Sequence, residues 1–144
     1  MSDDFVTADD GEDADGWHRV PVAVRLNDVD GMGHVNNAVY ATYLEEARID
    51  SLPAVAGVDH ADLPAVLAHL EIDYRRPIRE GADVVVAVRV ADVGETSLAL
   101  DYRVVADGEV VATAETVQVF VDPDGLEPES IPEGVRERLE AAAN

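Results

Sequence analysis

Asn27-Asp28-Val29-Asp30-Gly31-Met32-Gly33-His34-Val35-Asn36-Asn37-Ala38 is the stretch at which the hydrophobic period of this chain changes. Before it, Val20, Val22, Val24 and Leu26 alternate with Arg19, Ala23 and Arg25, the period of a half-buried strand. After it, Ala38, Tyr40, Ala41, Tyr43, Leu44, Ala47 and Leu52 recur at helical spacing, with Glu45, Glu46, Arg48 and Asp50 as a polar face. Good helix formers dominate as far as Pro53. A strand therefore runs into a long helix through a turn crowded with carboxylates, carboxamides, glycines and one histidine. Polar groups placed there lie beside backbone N–H groups that lack intrahelical partners, a setting that favours developing negative charge.

Downstream of a connector from Pro53 to Pro64 the period stays at two. Val66, Ala68, Leu70, Ile72 and Tyr74 alternate with His69, Glu71, Asp73 and Arg75; Val84 to Val90 and Leu98 to Val104 alternate likewise, and Val110 to Val121 is more uniformly β-branched. Gly94-Glu95 and Asp107-Gly108 read as two-residue hairpin loops. Ile131 to Ala142 reads as a short C-terminal helix. The expected class is α+β: one strand, a long helix, four meandering antiparallel strands and the final helix. One sheet and one long helix hide their apolar faces only by packing together, so the sheet is expected to curl around the helix. The other sheet face, a mixture of Ala and Val, invites a second copy of the chain.

Composition narrows the function classes. Residues 1–16 carry seven acids and no base and are expected to be a disordered acidic tail, leaving 17–144 as one domain. No apolar run approaches the roughly 18 residues of a membrane span, and the acidic amino terminus is the reverse of a signal peptide. Cysteine is absent, which removes disulfides, thiolate ligands and a cysteine nucleophile; a cytoplasmic location is expected. The chain holds 31 acids against 10 bases, a net charge of −21, and every base is an arginine. Abundant Asp and Glu without Lys resembles proteins of salt-accumulating microbes, so the acidity is read as solvent adaptation. It also argues against a nucleic-acid partner, since no basic stripe exists to displace counterions.

Taken together, Arg25-x-x-Asp28-x-Asp30-x-x-Gly33-His34-Val35-Asn36-Asn37-x-x-Tyr40-x-x-Tyr43-x-Glu45-x-Ala47-Arg48 resembles the signature of hotdog-fold acyl-CoA thioesterases of the 4-hydroxybenzoyl-CoA thioesterase type. Leu70-Glu71-Ile72-Asp73-Tyr74-Arg75-Arg76-Pro77 is similar to that family's second strand, and Gly94-x-x-Ser97-Leu98 to a later hairpin. The resemblance spans about residues 18–122. It implies a curved antiparallel sheet around one helix, assembly into a homodimer or homotetramer with sites at the interface, no cofactor or metal, and an acyl-CoA or acyl-carrier-protein thioester as substrate. It also implies that the second carboxylate of the Asp-x-Asp, Asp30, is catalytic. In plant acyl-carrier-protein thioesterases of similar sequence an Asn two residues on is also implicated; here Met32 stands there, leaving Asp30 and His34 as the shared elements.

These residue types suit thioester hydrolysis. The leaving thiol has a pKa near about 8.5, so the thiolate departs without obligatory protonation. What remains is to deliver a nucleophile and to stabilise the oxyanion. Asp30 can activate water or attack directly to form an anhydride. The amides of Gly33, His34 and Val35 are the expected oxyanion donors, and His34 or Asn36 can orient water. Asp28 is expected to hold the turn. Arg75, Arg76 and Arg79 either pair with Glu71, Asp73 or Glu80 or bind coenzyme A phosphates, to which forked guanidinium groups are suited. Thr96 and Ser97 either cap a hairpin or touch the pantetheine arm, and Tyr40 belongs to the core or to the acyl pocket wall.

Blander readings stand beside these. Asp28 to Asn37 also suits a polar turn with an N-cap. A calcium loop fails because Met32 and Val39 would fall at ligand positions. His69, Glu71 and Asp73 mimic a metal cluster but suit the wet side of a sheet. Rival functions are a non-catalytic acyl-thioester binder and a hotdog dehydratase or hydratase. The latter places an Asp and a His five residues apart, whereas Asp30 and Asp28 lie four and six residues before His34. A serine hydrolase is excluded by the absence of a Gly-x-Ser-x-Gly elbow.

Overall fold

The structure, a computed structural model, describes residues 11–12 and 16–143. In chain order the elements are β1 (Gly11–Glu12), β2 (His18–Val22), α1 (Val39–Ala56), β3 (Ala65–Tyr74), β4 (Val84–Val93), β5 (Ser97–Ala106), β6 (Glu109–Phe120) and α2 (Glu133–Ala143). The strands form a single antiparallel sheet in the order β1-β2-β4-β5-β6-β3. The α+β class is as expected. Most of the expected acidic tail lies outside the described residues; within it, Gly11 and Glu12 pair with Arg19 and His18.

The core forms where α1 lies on the sheet. Tyr40, Tyr43, Leu44 and Ala47, spaced at one helical face, are buried together with Val20 and Val22 of β2, Val86 and Val88 of β4, and Leu98, Leu100 and Val104 of β5. Val135 and Leu139 of α2, with Ile131, join the same core. Each fully buried Leu or Val in such a cluster contributes roughly 1.5–3 kcal/mol relative to exposure. The outer face carries a smaller cluster of Trp17, Ala87 and Val105, and the guanidinium groups of Arg89 and Arg103 lie over the Trp17 ring at 4.6 and 4.5 Å.

Four features differ from the sequence reading. The first strand stops at Val22, and Leu26 is 79 % exposed. Leu26–Asp28 winds as a 3-10 turn because the Asp28 carboxylate accepts the Arg25 backbone N–H at 2.9 Å, a local bond that competes with the ladder. Arg19, expected on the wet side, is buried.

The second difference lies in α1, which continues one turn beyond Pro53. A proline so close to the end removes only one helical bond, and Gly57 at φ +74° closes the helix by donating to the Pro53 carbonyl at 2.8 Å. Thirdly, the strands after α1 are not a simple meander. β4, β5 and β6 follow one another, but β3 crosses to pair with β6 while β4 pairs with β2. Side-chain chemistry explains the exchange: Val84, Val86, Ala87 and Val88 are buried on both sides of a central strand, whereas β3 carries His69, Glu71 and Asp73 and suits an edge. Finally, the first hairpin loop is three residues, Gly94 to Thr96, while Asp107 (φ 49°) and Gly108 (φ 85°) form the two-residue turn expected.

Candidate active site

The turn between β2 and α1 is built from its own polar side chains. Asp28 Oδ2 accepts both the Arg25 N–H and the Tyr43 hydroxyl, the latter at 2.8 Å, and the Asp28 carbonyl accepts the Asn36 N–H at 2.8 Å. Because Tyr43 is fully buried in α1, this bond fixes the turn to the helix. Burial, and then the bond to Asp28, push the Tyr43 phenol well above its ordinary pKa. Arg25 adds an exposed ion pair to Glu46 at 3.1 Å, which raises the guanidinium pKa further.

Within this frame Asp30 is exposed yet restrained. Its Oδ1 accepts the N–H groups of Met32 and His34 at 2.8 and 3.2 Å, and its backbone N–H donates to the His34 carbonyl at 2.7 Å. Oδ2 has no hydrogen bond among the described residues. One carboxylate oxygen is thus an anchor and the other is open.

The turn is clasped from outside by the segment after β3. Val35 N–H donates to Ile78 O at 2.8 Å, Glu80 N–H donates to Gly33 O at 2.9 Å, and His34 bridges Arg79. Val35 and Ile78 are buried and plug the turn onto the core. Asn36 caps the start of α1, accepting Ala38 N–H on its side chain and Val39 N–H on its carbonyl, both at 2.9 Å.

Asp30, Gly33, His34, Val35 and Asn36 are therefore brought together, but the expected oxyanion donors are committed. Gly33 N–H goes to the Asp30 carbonyl, His34 N–H to the Asp30 carboxylate, and Val35 N–H to Ile78. Nor do they open the helix, which begins at Val39.

Arg75, Arg76 and Arg79 are exposed at the start and end of the clasp. Arg76 pairs with Glu109 at 2.9 Å rather than with Glu71, Asp73 or Glu80. Arg76 and Arg79 line an open groove of about 330 Å³ with Pro77, Asp107 and Val111. Tyr40 is buried, packs edge-on against Tyr74 at 4.9 Å, and so belongs to the core. Burial also raises the Tyr40 phenol pKa.

Thr96 and Ser97 lie elsewhere. They sit at the Ser97 end of β5, whereas the groove meets the Ala106 end; ten strand residues separate the two by roughly 30 Å. A single chain does not bring them to one ligand. Sequence reasoning missed Tyr43 as the holder of the turn and the Arg79–His34 bridge, since neither spacing carries a local signal. His69, Glu71 and Glu115 converge on the exposed face of the β3–β6 pair, with Glu115 where Asp73 was expected.

Comparison with known proteins identifies the family. A family model described as the thioesterase-like superfamily matches residues 24–139. The chain belongs to that superfamily. This thioesterase-like chain is 40% identical to a thioesterase of Thermus thermophilus solved with coenzyme A and Zn, covering 87% of this chain and 92% of that one at a TM-score of 0.78. It is 25% identical over 135 residues to the chloroplastic acyl-acyl carrier protein thioesterase ATL3 of Arabidopsis thaliana, spanning 90% of this chain and 70% of the relative. It is also 27% identical over 126 residues to the acyl-CoA thioester hydrolase YbgC of Escherichia coli, spanning 81% and 91%. The superfamily match takes in every element described above apart from β1, β2 and the end of α2.

Proposed function

We propose that this protein hydrolyses the thioester of a fatty acyl- or aroyl-CoA, or of an acyl carrier protein, to the free acid and the thiol. The observation that carries the mechanism is the asymmetry of Asp30: one oxygen tied to two backbone amides, the other open. As general base, the open oxygen takes a proton from water as that water attacks the carbonyl carbon. As nucleophile, it attacks the same carbon and forms an anhydride that water then cleaves. Either way the carbonyl π electrons move to oxygen, and the tetrahedral intermediate collapses by expelling the thiolate. The Asn37 N–H, which makes no hydrogen bond among the described residues, and the dipole of α1 supply the oxyanion contact, because the amides of Gly33 to Val35 and those of Ala38 and Val39 are engaged. His34, whose backbone bridges Arg79, orients the attacking water.

The complete site requires two chains. β3 is a ten-residue edge strand with Val66, Leu67, Leu70 and Tyr74 exposed, a template for pairing with another chain. Two β3 strands paired antiparallel about their middle set the Val66 end of one against the Tyr74 end of the other. Val66 shares a cross-strand row with Val119 and Ser97, so the hairpin of Thr96 and Ser97 then approaches the partner's arginine groove. Arg75, Arg76 and Arg79 bind the coenzyme A phosphates there, and the hairpin meets the pantetheine arm.

Thiol release from a panel of fatty acyl- and aroyl-CoAs, followed in molar salt, is expected to show turnover by a dimer or larger species. Silence across the panel, with tight binding of the same compounds, would instead make the protein a thioester binder.

A further inference from the structure

Among the described residues, Thr116 and Gln118 are the buried polar side chains of β6, and they share the face that packs on α1. Thr116 is satisfied: its Oγ1 lies 2.7 Å from the Tyr102 hydroxyl, which in turn accepts Arg48 Nη1–H at 3.0 Å. Gln118, two residues on and 4 % exposed, is not. Neither its Oε1 nor its Nε2 has a hydrogen-bond partner. A primary amide enclosed without partners destabilises the fold, and such a residue persists where something else supplies the missing bonds.

The surroundings of Gln118 point to what supplies them. Its cross-strand neighbours are Leu98 on β5 and Leu67 on β3, and the neighbour of Thr116 on β3 is Leu70. Leu67, Leu70 and Tyr74 are 48, 37 and 47 % exposed. These side chains form an uncovered apolar row along the inner side of β3. It runs from Gln118 to the start of α1, where the Tyr74 hydroxyl donates to the Asn37 carbonyl at 2.7 Å. An acyl chain laid along this row covers three apolar groups and ends beside a buried amide.

We infer that Gln118 is a specificity-determining residue that hydrogen-bonds an oxygen substituent on the acyl group. The substrate class is then thioesters of oxygenated acyl groups rather than plain hydrocarbons. The inference rests on the thioesterase reading. A hydroxyl matches best, since it accepts from Nε2–H and donates to Oε1 at once. An unsubstituted chain buries the amide unpaired, the circumstance in which buried polar sites discriminate most strongly. The row from Leu67 to Tyr74 is roughly 20 Å long. A thioester held at the same chain's α1 therefore places the oxygen at the far end of the acyl chain, whereas a thioester held by a β3-paired partner places it near the carbonyl.

The test compares kcat/KM for hexadecanoyl-CoA, β-hydroxyhexadecanoyl-CoA and ω-hydroxyhexadecanoyl-CoA, whose extended chain matches the length of the row, in wild type and in Gln118→Met, which keeps the length and removes the amide. Wild type is expected to favour one hydroxylated substrate by at least ~10-fold, a small part of what such sites achieve. Which one wins distinguishes the two placements. Gln118→Met is expected to bring the three to near equality. Equal rates in wild type, a preference that survives in Gln118→Met, or hydrolysis of aroyl-CoAs but of none of the three would overturn the inference while leaving the thioesterase reading intact; silence across these three and the aroyl-CoA panel would overturn that reading instead. Should Gln118→Met fail to fold, the side-chain amide resonances of Gln118 in ¹⁵N-labelled wild type decide. They are expected to shift with a non-hydrolysable thioether analogue of the favoured hydroxyacyl-CoA and to stay unmoved with the hexadecyl analogue. Equal shifts, or none, would overturn the inference.

Discussion

At the residue scale the turn separates holding from reacting. Asp28 is enclosed by the Tyr43 hydroxyl and the Arg25 amide, while Asp30 keeps one oxygen open. Asp30→Asn preserves the acceptor for the Met32 and His34 amides but removes the base, so turnover is expected to fall at least ~100-fold with the melting temperature little changed. Full activity in that variant would remove Asp30 from the mechanism. Tyr43→Phe tests the holding bond and is expected to cost about 1.5–3 kcal/mol, the range for hydrogen bonds to charged groups. The pH dependence has a definite sign. The folded-state phenol pKa is raised, so the folded protein binds this proton more tightly than the unfolded chain. Its contribution is complete below about pH 10, where a free phenol titrates, and is lost as pH rises toward the folded value. Thermal denaturation above pH ~10 should therefore destabilise wild type more steeply than Tyr43→Phe; parallel curves would show that the bond carries no such linkage.

At the element scale the sequence is most legible where one residue type must do one thing. The alternation of β4 and β5 and the Asp107-Gly108 turn can be read directly, because period and positive φ leave few alternatives. The α1 terminus is harder to place, because Pro53 is a conspicuous stop signal and the glycine behind it is not. Gly57 is the true stop, at φ +74°, and a Cβ there would lie 2.4 Å from Arg138 Nε. Gly57→Ala is expected to destabilise the protein by about 1–2 kcal/mol, the cost of a left-handed residue with a Cβ, and to displace Arg138 from the Val55 carbonyl. Equal melting temperatures for wild type and Gly57→Ala would mean that the α1 end relaxes freely. The placement of β3 beside β6 is hidden for a different reason. Partners so far apart in the chain depend on which strand tolerates burial on both faces, a property of the whole sheet. The same applies to the candidate site: the turn that bears Asp30 is evident, but its bond to Tyr43 and its clasp by Ile78 to Glu80 are tertiary. The committed amides of Gly33 to Val35 also follow from that clasp and cannot be read from composition.

On the scale of the whole molecule, charge sets the conditions under which the rest holds. The chain carries −21, and among the described residues Arg25, Arg76 and Arg89 each engage one carboxylate across an exposed contact, and Arg136 pairs with the exposed Glu140. Exposed pairs of this kind contribute little, so most acids repel one another through solvent. Repulsion over an exposed surface is felt within the screening length, about 10 Å at 0.1 M salt and about 3 Å at 1 M. The folded state holds its charges closer together than the unfolded chain and gains more from screening. The melting temperature is expected to rise by more than ~4 °C between 0.1 and 1 M potassium chloride, the shift that roughly 1 kcal/mol produces in a domain of this size. The shape of the curve is the sharper criterion. Screening is nearly complete once its length falls below the spacing of surface charges, so stability should climb steeply at low salt and flatten near 1 M. A linear rise continuing to several molar would point to exclusion of salt from the surface instead, and no rise would mean that the acidity is unrelated to the ionic medium.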